Sequence, residues 1–172
     1  MTKRLANLTA ELVELSRLDE ERELPMMEFS FSDAVSETAE GFQTAAEAAR
    51  KTMEIQVEQN LSFTGDEQKI RKLVSVFLDN ALKYSDESGK ILVKAGRKGK
   101  GRYLTVENTA KDQKQGNLNY LFERFYREDA SISSKTAGYG IGLSIAKAIV
   151  QAHKGKISAR GEENRFIITV EF

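Results

Sequence analysis

Between Asp66 and Tyr84 the apolar residues Ile70, Leu73, Val74, Phe77, Leu78, Ala81 and Leu82 recur at spacings of three and four. That period gathers all seven on one side of an α-helix, and such a stripe has to be buried against a second layer. Asp66 supplies the N-cap, because its carboxylate can accept from an amide one turn further on. The partner layer follows in the chain. Lys90–Arg97 and Arg102–Glu107 read as strands, joined by the turn-rich Lys98-Gly99-Lys100-Gly101, and so short a link makes them an antiparallel pair. Lys156–Ala159 and Phe166–Phe172 form a second pair, with a hairpin turn around Gly161–Asn164. The pattern predicts an α+β fold, a two-layer α/β sandwich in which a mixed sheet carries its helices on one face.

The rest of the chain fits around that frame. Met1–Leu24 is helical in pattern, with Leu5, Leu8, Leu12 and Leu15 at alternating spacings of three and four. Such a seam belongs either to a helix packed on its own domain or to the tail of a dimerisation helix. Pro25, the single proline, marks a break, dividing the chain into 1–25 and a domain over 26–172. Met27–Phe31 alternates like a strand, Ser32 is placed to cap a helix over Asp33–Lys51, and Met53–Val57 and Leu61–Phe63 look extended. Two further helices are expected, around Asn117–Arg127 and over Gly142–His153.

Composition removes several functions. Lys+Arg and Asp+Glu are both 26, so there is no basic excess to hold nucleic acid. With no cysteine and one histidine, disulfides, thiolate metal sites and multi-histidine clusters are excluded within one chain. The longest uncharged run, Thr136–Ala146, is far too short to span a bilayer, and Lys3, Arg4 and Glu11 interrupt any signal-peptide pattern. A soluble, cytoplasmic piece is the expectation.

Three stretches carry chemistry. In Leu78-Asp79-Asn80-Ala81-Leu82-Lys83-Tyr84-Ser85, Asn80 and Lys83 share a helix face. An Asn oxygen suits Mg²⁺ and a Lys one turn on offers a point charge to phosphate; a solvated helix end is the plainer account. In Leu121-Phe122-Glu123-Arg124-Phe125-Tyr126-Arg127, Phe122 and Phe125 read as core, while Arg127 could reach a phosphate with its fork or lie in a surface salt bridge. In Gly138-Tyr139-Gly140-Ile141-Gly142-Leu143, alternate glycines let backbone amides approach an anion at a helix N-terminus. This is neither the P-loop nor the dinucleotide pattern.

Taken in order, these stretches resemble the histidine-kinase branch of the superfamily that also holds gyrase, the mismatch-repair ATPases and a heat-shock chaperone. Leu78–Ser85 is similar to the family's N box, Leu121–Arg127 to its F box and Gly138–Leu143 to its second glycine box. Leu12–Leu24 resembles the end of its dimerisation hairpin. The resemblance implies an ATP-binding catalytic domain of a two-component sensor histidine kinase, with ATP between the N-box helix and a lid over Glu128–Tyr139. It implies that Asn80 binds Mg²⁺, that Lys83 and Tyr84 approach the phosphates, and that Arg127 assists at the γ-phosphate. It gives the phosphates to the backbone of Gly138, Gly140, Gly142 and Leu143, and the catalytic charges to Lys83 and Arg127. The implied partners are the dimerisation domain carrying the acceptor histidine and a response regulator; the implied parent is a homodimer anchored in the bacterial inner membrane.

Some positions depart from the pattern. Val76 stands where the family has a second Asn or, in hydrolysing members, a Glu; Asn108 stands where it has an Asp that reads the adenine amine. Asn108 can still accept from that amine, without charge. His153 lies twelve residues beyond Ile141, about 18 Å along a helix, and reads as a surface or helix-C-terminal residue rather than the acceptor. Two other functions stay open on the residues: a stand-alone ATPase or serine kinase, and a degenerate interaction module with weak or no nucleotide binding.

Overall fold

A computed structural model describes residues 3–20, 24–123 and 141–172. The long helix is present as α4, Glu67–Tyr84, and Asp66 accepts from Lys69 N at 3.2 Å. Ile70, Leu73, Val74, Phe77, Leu78 and Ala81 are all buried, while Leu82 packs at the edge of the core. Burying Phe77 and Leu78 is worth about 1.5–3 kcal/mol apiece, so this face fixes where the helix lies.

The layer beneath is a six-stranded sheet of order β2-β4-β5-β8-β7-β6, from β2 (Thr52–Val57), β4 (Lys90–Lys98), β5 (Gly101–Thr109), β6 (Gly116–Asn117), β7 (Lys156–Glu162) and β8 (Arg165–Glu171). Only β2–β4 is parallel among these pairs, which makes the sheet mixed. Register puts Ala95, Leu104 and Val170 in one row, Val93, Val106 and Ile168 in the next, and Ile91, Asn108 and Phe166 in a third. Every member is buried, so Asn108 ends an apolar face. The β7–β8 turn is Glu163-Asn164, both left-handed (φ 48 and 60), as a two-residue hairpin with right-handed strand twist requires.

Three sequence expectations are corrected. The cap after β1 (Met27–Ser30) is Ser30, whose hydroxyl accepts from Asp33 N at 3.1 Å. Ser32 points inward instead, donating to Glu58 O at 2.6 Å and accepting from Leu61 N at 2.9 Å. The helix expected over Asp33–Lys51 is two helices, α2 (Phe31–Glu40) and α3 (Gln43–Ala48), broken at Gly41-Phe42. Around Asn117–Arg127 the described part is β6 and a single 3₁₀ turn, Asn119–Phe122. Leu118 N donates to Ala159 O and Asn117 Oδ1 accepts from Asn119 N, both at 2.8–2.9 Å, so backbone and side chain follow the sheet edge rather than a helix.

A small second sheet pairs β1 with β3 (Ser62–Gly65) in antiparallel register. Beside it Phe31, Phe63, Phe172 and His153 form an aromatic cluster. The first helix, α1 (Lys3–Glu20), lies against α5 (Gly142–Ala152). Its leucine seam divides: Leu15 is buried and Leu8 packs on the core, whereas Leu5 and Leu12 face solvent. Lys72 of α4 pairs with Glu14 of α1 at 3.6 Å.

Candidate nucleotide site

The site is assembled around the C-terminal half of α4, because two segments far away in sequence come to that end. The first is the end of β5. Asp86 N donates to Thr109 O at 3.1 Å, and both carboxylate oxygens of Asp86 accept from Lys111 N at 2.8 Å. These bonds hold the chain leaving α4 against the strand end that carries Asn108. Asn108 itself is buried, and its Nδ2 donates to Thr109 O at 3.2 Å.

The second is the start of α5. A Cβ added to Gly142 would sit 3.7 Å from Val76 Cγ1, one turn before Asn80 on α4, and its φ is not in the left-handed region. Neither backbone conformation nor the described neighbours therefore demand glycine there. What glycine adds is the lack of a side chain of its own over the first amides of α5. At its N-cap position, Ile141, no side-chain hydrogen bond is made, and Ser144 Oγ turns back to donate to Ile141 O at 2.7 Å. The first amides of a helix lack intrahelical partners and carry the positive end of its dipole.

Between these segments stand the polar residues of α4. Asn80 is half-buried, Lys83 lies at the surface and Tyr84 is 49% exposed. Lys83 Nζ pairs with Asp79 Oδ2 at 2.9 Å, an i,i+4 contact on the helix surface. Glu11 of α1 lies within the field of Lys72, Lys83 and Asp79. Burial pushes its carboxyl pKa above the usual value, and the two lysines only partly offset that rise.

Of the sequence-derived site residues, Asn80, Lys83 and Tyr84 lie on the C-terminal half of α4, Asn108 precedes the Thr109 that Asp86 bonds just past that helix, and Gly142, followed by Leu143, starts α5 beside Val76. Arg127, Gly138, Gly140, Phe125 and the lid expected over Glu128–Tyr139 lie outside the described residues. Phe122 is core, as its spacing implied.

The model of the family described as histidine kinase-, DNA gyrase B- and HSP90-like ATPase matches residues 65–172, from the cap of α4 to the last residue. The chain belongs to this ATPase family. Sensor protein DltS of Streptococcus agalactiae serotype III is 30% identical over 171 residues, which is 99% of this chain and 43% of that protein. The chain therefore spans less than half the length of that relative. Full-length ShkA in complex with AMPPNP shares the fold, with a TM-score of 0.80 at 22% identity over 97% of this chain and 35% of that one. ThkA in complex with the response regulator protein TrrA does so with a TM-score of 0.77 at 20% identity, over 98% of this chain and 47% of ThkA.

Within this ATPase domain, His153 is not at the surface. It is 7% exposed at the end of α5; its Nε2 accepts from Asp66 N at 3.0 Å, and its Nδ1 lies 2.8 Å from Ile149 O. One ring nitrogen accepting and the other donating fixes the tautomer and occupies both. Sequence reasoning assigns no role to Asp86 or Lys51, and weighs Asp79 only as a base for hydrolysis, for which it points away from Asn80. Asp79 was visible as an acid four residues before Lys83. Asp86 and Lys51 act across the fold, where no local spacing announces them.

Proposed function

We propose that the chain is the ATP-binding catalytic domain of a two-component sensor histidine kinase, transferring the γ-phosphate of ATP to a histidine on a dimerisation domain. The observation that supports this reading is that α4, which carries Asn80, Lys83 and Tyr84, is bonded just past its C-terminus to the strand end after Asn108 and meets the start of α5 at Val76. Phosphoryl transfer asks for position and charge stabilisation more than for covalent participation by the protein. Lys83 can exchange the Asp79 carboxylate for a phosphate, trading one anion for another. The amides of Gly142 and Leu143 donate to phosphate oxygens, with the dipole of α5 behind them. Asn108 accepts from the adenine amine, and Tyr84 lies beside the nucleotide. Arg127 at the γ-phosphate, with Gly138 and Gly140 along the chain, completes the set by resemblance.

Mg²⁺ fits the donor set. Asn80 offers one neutral oxygen, and among the described residues no group of three or more His, Asp or Glu could hold a metal alone, which suits an ion carried mainly by phosphates and water. When bound it neutralises charge on the phosphates.

The acceptor lies elsewhere than in the described fold: His153 has both ring nitrogens engaged, and Val76 supplies no base for hydrolysis. In this reading residues 1–25 are the end of a dimerisation helix with its linker and 26–172 the catalytic domain. The parent is a homodimer held at the inner membrane and passes its phosphate to a response regulator. Among the described residues, no helix is long and apolar enough to cross a membrane. Calorimetric titration with Mg-ATP tests the site. Asn80→Ala is expected to weaken binding on the order of tenfold or more, the loss of a metal-directed oxygen, with an unchanged melting temperature. An unaltered dissociation constant would refute the metal assignment.

A further inference from the structure

Lys51 lies in the short turn between α3 and β2, remote in sequence from every residue of the nucleotide site. Its backbone is pinned on both sides. Arg50 takes a left-handed conformation (φ 57), Lys51 N donates to Ala46 O at 2.8 Å, and Thr52 N donates to Gly89 O at 3.0 Å. From that fixed base the side chain runs to the end of α4, where Nζ donates to Leu82 O at 2.6 Å and to Ser85 O at 3.0 Å. Those two carbonyls bracket Lys83 and Tyr84.

The last carbonyls of a helix lack intrahelical partners, and a cation there also meets the negative end of the dipole. Helix ends are where local unfolding begins, so residues in a last turn are poorly placed unless something outside the helix holds them. Here bonds from outside do so: two from the Lys51 ammonium and, just past the helix, those that tie Asp86 to Thr109 O and Lys111 N. Burial pushes the Lys51 pKa below the usual lysine value, while Asp86 acts in the opposite direction.

Building on the nucleotide-binding reading, we infer that Lys51 is a positioning residue for ATP: by holding Leu82 O and Ser85 O it sets Lys83 and Tyr84 in place before the nucleotide arrives. A ligand meeting side chains already ordered does not have to order them. The contribution is to the phosphate side of the site, since Asn108 is held by β5 independently of Lys51.

The test compares Lys51→Met with the unsubstituted chain, each titrated with Mg-ATP and with adenosine and followed by NMR chemical shifts. The Mg-ATP dissociation constant is expected to rise on the order of fivefold to tenfold, and that for adenosine by less than about twofold. In a Lys83→Met, Tyr84→Ala background the Lys51 substitution is expected to change Mg-ATP affinity by less than about twofold, because the groups it positions are gone. A helix cap with no role in binding predicts otherwise: a lower melting temperature with both constants unchanged, or equal loss of both ligands, and either result overturns the inference. So does an undiminished effect in the Lys83, Tyr84 background. Lys51→Gln carries the same comparison if the Met variant does not fold. Failure of the unsubstituted chain to bind Mg-ATP would instead remove the nucleotide-site reading on which Lys51 depends.

Discussion

Asn108 and His153 show how far a single side chain can be argued from its surroundings. Asn108 closes the apolar row between Ile91 and Phe166, where burial makes a charged group expensive and a neutral amide acceptable. Asn108→Asp is expected to lower stability, since it buries a charge and loses the Nδ2 bond to Thr109 O. It is also expected to tighten adenine recognition by about 1 kcal/mol, because a charged acceptor forms the stronger hydrogen bond. Competition between ATP and GTP in the titration reads this directly, and equal affinity in variant and parent would count against Asn108 as the adenine contact. His153 belongs to a different part of the molecule. It ties the end of α5 to the cap of α4 through Asp66 N and packs on Phe63 and Phe172. His153→Ala leaves that amide without its partner and opens a cavity, so urea denaturation should show a loss of about 2–4 kcal/mol. Mg-ATP affinity of the folded protein is expected to stay unchanged; a matching loss of affinity would place His153 in the site after all.

Among the elements, α1 carries a half-buried carboxyl whose shift predicts a pH-dependent attachment. Glu11 has its pKa raised by burial. A raised folded-state value stabilises docked α1 below the ordinary Glu pKa, and that contribution is lost as pH rises through the raised value. Glu11→Gln keeps the neutral form at every pH, so at pH 7 it should stabilise the chain by roughly 0.2–0.5 kcal/mol, a figure reduced for solvent screening. Near pH 4 the difference should vanish. Thermal unfolding of both proteins at the two pH values checks this, and a less stable variant at pH 7 would mean that the attraction of Lys72 and Lys83 for the Glu11 carboxylate outweighs its desolvation. The elements also differ in how legible they were. α4 could be read to its ends because stripe, cap and length agree, and the paired strands because their links are too short for a crossover. The break between α2 and α3 could not, since Gly41 and Phe42 interrupt a segment whose composition is helical throughout. Over its described part, 117–123, the helix expected at Asn117–Arg127 gives way to a sheet edge because β6 pairs with β7, a contact that no window of local sequence contains. Of the site, Asn80, Lys83 and Gly142 announced themselves by spacing, while Lys51 and Asp86 act through backbone carbonyls and amides that only the fold brings near.

For the molecule as a whole, the sandwich has two ends with different contents. At one, the aromatic cluster and His153 join α5, α4 and the small sheet. Toward the other, Asp86 ties the chain leaving α4 to the end of β5, and the start of α5 meets α4 at Val76. A nucleophile has to be held in line about 3 Å from the γ-phosphate, and His153 is about 16 Å of helix away from Gly142 with both nitrogens in use. Under the proposed function the acceptor therefore lies on a domain other than the one that binds ATP. The direct measurement is incubation of the purified chain with Mg-ATP labelled at the γ-phosphate, alone and with a separately supplied dimerisation domain carrying the acceptor histidine. Acid-labile phosphate on the supplied domain, and none on the chain itself, is the predicted result; acid-labile phosphate on His153, or ATP binding with no transfer to the supplied domain, would contradict it.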